Sequence, residues 1–249
     1  MVLVDNAGKL RLLGGAARWD VSAPSTILSQ DPVPDGSGAI YEALSPDGSP
    51  MRILKVLLSN ACSYDCLFCP MRCSRSQPRA SFRPDELARL VAEMRGAGLI
   101  DGLMLSSGIV GDTDATMERM TDTALLLRHE YGFRHHIHLK LLPGASEAAI
   151  ISAAQVADRL SLNVEAPTPE IVSAICPAKS LPRHLMRPLR QAVDLVAPGR
   201  VSEGVTAQFI VGAGDETDRQ LVEMTWQLLA QVGVRAVHFS GFRPIEDTP

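Results

Sequence analysis

The sequence predicts an α/β fold in which parallel strands and helices alternate as an incomplete (βα)6 barrel. The chain has 249 residues, of which 46% are hydrophobic and 21% charged, so it can bury a core of normal size. Short β-rich runs alternate with segments of helical periodicity from residue 51 onward. This alternation implies parallel strands joined by right-handed crossovers. Six strands without a clear sixth helix favour an incomplete barrel, and an open doubly wound sheet is the alternative.

Residues 1–50 are predicted to form an irregular N-terminal extension ahead of a core domain at 51–249. Apart from the leucines at 10, 12 and 13, the extension shows little periodicity. It is rich in residues that favour turns, namely Gly14-Gly15, Pro32, Pro34-Asp35-Gly36, Gly38 and Pro50.

Six strands are predicted from short apolar or alternating runs bounded by turn formers. They cover residues 53–58, 102–106, 135–140, 158–165, 205–211 and 234–240. In either architecture, ligands bind at the carboxyl ends of such strands.

Helices are predicted between the strands, where apolar residues recur at intervals of three and four. The first begins near Pro84, and the second runs from Asp112 or Thr113, either of which can cap it, to about Tyr131. A third covers about 146–156. Helical segments broken by prolines fill about 169–196, and Asp215 is expected to cap the last helix.

Composition excludes several classes of protein. The net charge of −4 argues against a broadly basic nucleic-acid coat, and 4% aromatic residues disfavour a stacking platform for bases. No apolar run approaches the length of a membrane helix, and the start of the chain lacks the features of a signal peptide. We therefore expect a protein that does not enter a membrane. A cytoplasmic location is expected because the clustered cysteines need a reducing compartment.

Four of the five cysteines crowd into twelve residues directly after the first predicted strand. Cys62, Cys66 and Cys69 form a C-x3-C-x2-C pattern, and Cys73 follows, whereas Cys176 stands alone. Such crowding is typical of a metal site in a reducing compartment. Three thiolates can ligate three irons of a cubane cluster and leave the fourth iron open, as a reactive site requires.

Two other metal sites remain open on the sequence alone. Cys73 could complete a four-cysteine zinc site. It follows Cys69 with a ferredoxin-like x3 gap, so it could also complete a four-cysteine electron-transfer cluster. Otherwise Cys73 is a free thiol near the cluster. A less favoured interpretation makes it a hydrogen-atom donor or an extra ligand.

The C-x3-C-x2-C spacing, with Phe68 just before the last cysteine, resembles the radical S-adenosylmethionine (radical SAM) superfamily. The resemblance implies a partial (βα)6 TIM-like barrel, a 4Fe-4S cluster held by Cys62, Cys66 and Cys69, and S-adenosylmethionine on the open iron. It further implies reductive cleavage to a 5′-deoxyadenosyl radical, hydrogen abstraction from a substrate, oxygen sensitivity, and a one-electron reductant of the flavodoxin or ferredoxin type.

Polar side chains share one face of two predicted strands. Period-two alternation places Ser161, Asn163 and Glu165 together, and likewise His136, His138 and Lys140. A histidine could act as an acid, a base or a hydrogen-bond donor, and a lysine could bind a carboxylate or phosphate. A structural role, in which each side chain is hydrogen-bonded within the core or at its rim, explains either residue equally well. The candidate catalytic residues are Cys73, Cys176, His138 and Lys140.

Contacts to the cofactor are implied by the resemblance at the strand ends. The Ser-Ser-Gly segment occupies the place of the family's Gly-Gly-Glu motif, but the Glu is absent. The expected cofactor-binding residues are Phe68, Ser106, Ser107, Gly108, His138, Lys140, Ser161, Asn163, Glu165, Gln208, Ile210, Gly212 and Phe242.

Longer stretches resemble one subgroup, the radical SAM proteins assigned to DNA modification or repair, whose genes are often linked to a uracil-DNA-glycosylase-like partner. The matching stretches are 9–13, 16–20, 53–66, 102–108, 116–120, 137–140, 157–165, 210–212 and 216–218. Subgroup members usually continue beyond the point of Pro249 into a DNA-binding element, and other residues are expected at Cys73 and Cys176. A nucleic-acid substrate is therefore left open. Arg183, Arg187 and Arg190 form a small basic cluster, which a solvated helix face explains equally well.

Overall fold

A seven-stranded sheet lies at the centre of the computed structural model, which describes residues 5–19, 39–44, 48–196 and 199–249. The strands pair in chain order, β1 to β7. They are β1 Ile40–Leu44, β2 Pro50–Leu57, β3 Gly102–Ser106, β4 His136–Lys140, β5 Arg159–Glu165, β6 Val205–Val211 and β7 Ala236–Gly241.

The predicted incomplete barrel is confirmed. Strands β2 to β7 are the six predicted strands, and each pairs in parallel with the next. Their order never reverses, whereas a doubly wound sheet has a switch point where it does. The sheet therefore curls as a half-barrel, with β1 added antiparallel to β2.

Helices follow the parallel strands and cover the outer face of the sheet. They are α1 Asn6–Ala17, α2 Pro84–Gly96, α3 Thr113–His129, α4 Glu147–Ala154, α5 Pro169–Ile175, α6 Arg187–Asp194 and α7 Asp218–Trp226. Two π-helical turns adjoin them, at Leu181–Met186 before α6 and at Gln227–Val232 after α7. No helix in the described part of the chain is long and apolar enough to cross a membrane.

Most predicted helix boundaries lie within two residues of those observed, but one predicted cap is wrong. Asp112 caps α3 by accepting from the Ala115 N–H. The cap of α7 is Thr217 rather than Asp215, because the Thr217 side chain and that of Gln220 satisfy each other's backbone N–H groups in a capping box.

The N-terminal extension is more regular than predicted, since it contains α1 and β1. Asp5 caps α1, and Leu13 and Ala17 are buried against the sheet. Gly14, which the sequence pattern indicates as a turn former, is instead helical. A Cβ there would lie 2.5 Å from the Cβ of Ala39, so glycine permits this packing. The turn formers Pro32, Pro34-Asp35-Gly36 and Gly38 lie outside the described residues.

The two faces of the sheet differ in polarity. Apolar side chains such as Leu139, Leu160 and Phe209 are fully buried under the helices. The opposite face carries buried polar side chains that point into the half-barrel: His138, Lys140, Ser161, Glu165, Thr206 and Gln208. Lys140 and Glu165 are the last residues of β4 and β5, and the other four lie further back along their strands.

Candidate active site

A cavity of about 390 Å³ opens at the carboxyl ends of the parallel strands. Its walls come from the loop between β2 and α2, the loops after β3 and β4, and the ends of β5, β6 and β7. Arg18 and Trp19, just after α1, contribute to the rim. Of the predicted site residues, those that line the cavity are Cys62, Cys66, Phe68, Cys69, Ser106, Ser107, Gly108, Lys140, Asn163, Glu165, Gln208, Ile210 and Phe242.

The loop that carries the cysteines, residues 60–80, is closed by hydrogen bonds within the protein. At its ends, the Ala80 N–H donates to Asn60 Oδ1 at 2.8 Å, and Asn60 Nδ2 donates to the Pro78 carbonyl at 3.0 Å. The guanidinium of Arg79 donates to four carbonyl oxygens, those of Asn60, Met71, Arg72 and Arg75. One cation therefore ties the segment before Cys62 to the segment after Cys69.

An ion pair stiffens the middle of this loop. Arg72 Nε donates to Asp65 Oδ1 at 2.8 Å, its Nη2 lies 2.5 Å from Oδ2, and Ser74 Oγ donates to Oδ1 at 2.7 Å. The hydrogen bond from Arg72 holds the pKa of the Asp65 carboxyl well below its usual value. These contacts restrain the shape of the loop between Asp65 and Ser74.

The three cysteines of the C-x3-C-x2-C pattern share the cavity, and Cys73 does not. Cys66 is buried, Cys62 and Cys69 are half-buried, and Cys73 is exposed and absent from the cavity wall. No three His, Cys, Asp or Glu side chains of the described residues lie close enough to hold a single metal ion.

The environments of the thiols differ. A hydrogen bond with the Cys176 thiol and the positive charge of Lys179 lower the pKa of Cys66 to about 7, against the effect of burial. Burial raises the pKa of Cys69 to about 12. Cys176 does not line the cavity but is fully buried beside Cys66, and that contact raises its own pKa. The lowered pKa favours the thiolate form of Cys66, which is the form of cysteine that binds metals.

Two oxygen atoms at the cavity accept no hydrogen bond from any residue that the structure describes. Glu165 is 3% exposed, and its Oε1 pairs with Lys179 Nζ at 2.7 Å while its Oε2 has no partner within the described chain. Gln208 Oε1 is also buried without a partner there. Glu165 has φ = 67°, a left-handed conformation that is uncommon for residues other than glycine. Strained and unsatisfied groups of this kind are typical of binding sites.

Asn163 and Lys140 meet across two strands on the same wall. The Lys140 Nζ donates to Asn163 Oδ1 at 2.8 Å, and the lysine side chain is 6% exposed. The parallel register of β4 and β5, with Lys140 opposite Ser161, places Asn163 one step further along the wall. This pair presents a cation and an amide to the cavity.

Other predicted site residues lie away from the cavity wall. His138 and Ser161 are buried one layer below it, where His138 Nε2 and Ser161 Oγ lie 2.7 Å apart. Burial lowers the pKa of His138 well below its usual value, so this imidazole is neutral. Gly212 lies beyond the end of β6 with φ = 86°, and its N–H donates to Glu216. Cys73 and Cys176 are likewise not on the wall.

Two residues important to the site were missed from the sequence. Lys179 and Arg79 each join segments distant in the chain, and neither belongs to a motif or a periodic pattern. Trp19 lies in one of the stretches quoted for the subgroup resemblance, which is the only signal that pointed to the rim.

Comparison with known proteins places this architecture among radical SAM proteins. The sequence profile of the radical SAM superfamily matches residues 56–228. No curated protein matches the chain at a significant level.

Solved structures share the fold at low sequence identity. The chain is similar to methylornithine synthase (PylB), with a TM-score of 0.63 and 19% identity over 78% of this chain and 54% of that one. It is similar to the FeFe-hydrogenase maturase HydG from Carboxydothermus hydrogenoformans, with a TM-score of 0.62 and 16% identity over 77% of this chain and 44% of that one. The chain thus spans about half the length of these proteins.

Proposed function

Since the chain belongs to the radical SAM superfamily and is therefore an enzyme, we propose that Cys62, Cys66 and Cys69 ligate a 4Fe-4S cluster. S-adenosylmethionine would occupy the cavity beside it. The observation that carries this proposal is the convergence of these three thiols, without Cys73, on one cavity that also contains two unsatisfied acceptors. Three cysteine ligands leave one iron of a cubane open for a further ligand.

The residues of the cavity wall fit such a ligand. An ammonium group and ribose hydroxyls are hydrogen-bond donors, so they can satisfy Glu165 Oε2 and Gln208 Oε1, whose isolation otherwise costs free energy. Ser106, Ser107 and Gly108 offer backbone atoms, and Phe68, Ile210 and Phe242 offer apolar surface for a base. Asn163 and Lys140 supply an amide and a cation.

When bound, the reduced cluster supplies the electron that cleaves a carbon–sulfur bond of S-adenosylmethionine to give the 5′-deoxyadenosyl radical that abstracts hydrogen. The protein's part would be to hold the cofactor in the cavity that Cys62, Cys66 and Cys69 share, and to exclude water. In this proposal residues 51–249 form the catalytic domain, and Arg18 and Trp19 of the N-terminal extension contribute to the rim of its cavity.

The exposed position of Cys73 disfavours the four-cysteine electron carrier. Its backbone N–H donates to the Tyr64 carbonyl at 3.0 Å, while its thiol is outside the cavity. A cluster ligated by Cys62, Cys66 and Cys69 would therefore retain an open iron unless the loop rearranged.

For the substrate, we propose a nucleotide or nucleic acid. The support is the sequence resemblance to the DNA modification or repair subgroup together with the arrangement of Arg183, Arg187 and Arg190. These three arginines are exposed and make no ion pair within the described chain. Arg183 lies in the π-helical turn before α6, and Arg187 and Arg190 lie in α6, so three exposed cations follow one another along a continuous helical segment. Such a group of cations suits phosphate contacts. A uracil-DNA-glycosylase-like partner and a flavodoxin- or ferredoxin-type reductant complete the proposal.

Anaerobic reconstitution tests the core of this function. The protein would be loaded with iron and sulfide, reduced with dithionite and given S-adenosylmethionine. We expect 5′-deoxyadenosine and methionine as products, and a change in the EPR spectrum of the reduced cluster when the cofactor is added. Bound zinc instead of iron, or a spectrum that the cofactor leaves unchanged, would overturn the proposal.

A further inference from the structure

Aromatic residues are few in this chain, but they concentrate at the cavity. The sequence has two Trp, three Tyr and six Phe residues, and five of these eleven line the cavity: Trp19, Tyr64, Phe68, Phe239 and Phe242. The proposed contacts to the base of S-adenosylmethionine use Phe68 and Phe242. Trp19, which has the largest ring system of the five, therefore has no role in the binding of that cofactor.

Helix α1 fixes Trp19 at the rim of the cavity. Leu13 and Ala17 of this helix are buried against the sheet, and Gly14 packs closely on Ala39. Trp19 follows two residues after the end of the helix and is half-buried. Its position is therefore set by the packing of α1, and the ring is still partly open to solvent.

A cation without a carboxylate partner accompanies this ring. The guanidinium carbon of Arg18 lies 4.7 Å from the centre of the Trp19 ring, within the range of a cation–π contact. Arg18 is exposed and makes no ion pair with any residue that the structure describes. Both residues line the cavity. The rim thus offers an aromatic surface and a positive charge side by side.

We propose that Trp19 stacks on a base of the substrate and that the Arg18 guanidinium contacts the adjoining phosphate, so that these two residues select a nucleotide unit. Every base has a flat π-face on which an indole ring can stack, and a guanidinium suits the phosphate anion. This inference rests on the proposed function, in which the substrate is a nucleotide or nucleic acid. It adds the residues that recognise the base.

The basic helical segment at 183–190 borders the same cavity. The Gly144 N–H donates to the His184 carbonyl at 2.8 Å, and Pro143, next to Gly144, lines the cavity. Arg183, next to His184, is exposed. The aromatic ring and the exposed cations therefore border one cavity, as a ligand with both bases and phosphates requires.

The test measures the binding of thymidine probes to the reconstituted protein in the presence of S-adenosylmethionine, so that the cofactor does not compete with the probe. The probes are thymidine 5′-monophosphate, an oligothymidylate of about eight nucleotides, and an abasic strand of the same length. The monophosphate and the oligothymidylate distinguish a free nucleotide from a single strand as the source of the base. The abasic strand presents phosphates without bases.

We expect Trp19→Leu to weaken the binding of the base-containing probes about fivefold or more, because leucine is apolar but has no aromatic face. The abasic strand should bind wild type and Trp19→Leu equally. Trp19→Phe keeps an aromatic ring and should bind the bases more tightly than Trp19→Leu. The matched control is Trp226→Leu, because Trp226 is 60% exposed on α7 and does not line the cavity.

A second measurement does not depend on the folding of a Trp19 variant. In Trp226→Phe, Trp19 is the single remaining tryptophan of the sequence. Its fluorescence should change on addition of the base-containing probes and stay constant with the abasic strand. A constant signal with probes that bind would overturn the inference.

Other outcomes overturn it as well. An equal loss of affinity for the abasic strand in Trp19→Leu would show that Trp19 acts only through the shape of the rim. Unchanged affinity for the bases in that variant, or no binding of any thymidine probe to wild type, would also refute base stacking. The radical chemistry is tested separately, because a wild-type protein that forms no 5′-deoxyadenosine refutes the proposed function whatever the probes show.

Discussion

Gly108 packs against Ala61 so closely that a Cβ on Gly108 would lie 2.2 Å from the Ala61 carbonyl oxygen. The Gly108 N–H also donates to the Ser59 carbonyl at 2.7 Å. The segment after β3 therefore supports the cysteine loop directly. The sequence resemblance predicts that Gly108 allows the backbone to approach a cofactor. The structure shows a different reason for the glycine, which is that a side chain at this position would not fit between the two loops.

Replacement of Gly108 by alanine should push the cysteine loop out of place. We expect a loss of about 1–3 kcal/mol in the free energy of unfolding, as in overpacked cores, together with reduced iron retention after reconstitution. Urea denaturation and iron analysis measure both. Gly96→Ala is the control, since nothing lies within 4 Å of a Cβ there and alanine favours a helix. Equal stability of the two variants would contradict the proposed packing role.

Cysteine variants distinguish a three-ligand from a four-ligand cluster. Cys66→Ala should lose the cluster and all 5′-deoxyadenosine formation, because a cavity thiolate is removed. Cys73→Ser should retain both, because that thiol is exposed and away from the cavity. Iron content and the absorbance of the reconstituted proteins give the comparison. A Cys73→Ser protein without a cluster would support the electron-carrier alternative.

Gln208 is expected to bind the cofactor through its unsatisfied side-chain oxygen. Gln208→Leu should weaken S-adenosylmethionine binding about five- to tenfold, equivalent to about 1–1.4 kcal/mol for one hydrogen bond. Isothermal titration of the cluster-loaded protein measures the affinity. Gln191→Leu provides the matched control, since Gln191 Oε1 is also buried without a partner in the described chain but lies away from the cavity. Unchanged affinity in Gln208→Leu would remove this residue from the site.

Acid should weaken the fold through Glu203, at the amino ends of β4 and β5. Glu203 Oε1 lies 2.8 Å from His136 Nδ1, and Arg159 Nη2 donates to Oε2 at 2.7 Å. The hydrogen bond with His136, followed by the charge interactions with His136 and Arg159, lowers the pKa of Glu203. A carboxyl group with a depressed folded-state pKa stabilises the fold above its unfolded pKa of about 4.3 and loses that contribution as pH falls through the folded value.

Glu203→Gln should therefore be less stable than wild type at pH 6, by about 2 kcal/mol for hydrogen bonds to a charged group. The difference should shrink steadily below pH of about 4.3. Urea unfolding of both proteins between about pH 6 and pH 3 measures this difference in the free energy of unfolding. Glu118→Gln serves for comparison, since Glu118 is exposed and makes no ion pair within the described chain. A difference that grows on acidification would show that the sign is wrong.

The three arginines of the helical segment allow a test of the nucleic-acid proposal. Replacement of Arg183, Arg187 and Arg190 by glutamine should weaken the salt dependence of oligonucleotide binding. The slope of log Kobs against log salt concentration should become less negative by about 2–3. Fluorescence anisotropy over a salt series provides the slopes. Arg83, Arg89 and Arg219 are the control set, because each already faces a carboxylate. Binding that is insensitive to salt in wild type would exclude the phosphate contacts.

The sequence by itself determined the alternation of strands and helices, the inward polar faces of β4 and β5, and the C-x3-C-x2-C loop at the carboxyl end of the first parallel strand. These features follow from local periodicity and spacing, which are properties of neighbouring residues. The helix α1 escaped prediction because Gly14, which usually signals a turn, is required for packing against Ala39.

Only the tertiary structure decided which groups share the site. It turned Cys73 away from the cavity, buried Cys176 beside Cys66, and brought Lys179 and Glu165 within 2.7 Å of each other. It also placed His138 and Ser161 below the wall rather than on it. Contacts between residues far apart in the chain depend on how loops and helices pack on the sheet, and sequence periodicity contains no information about that packing.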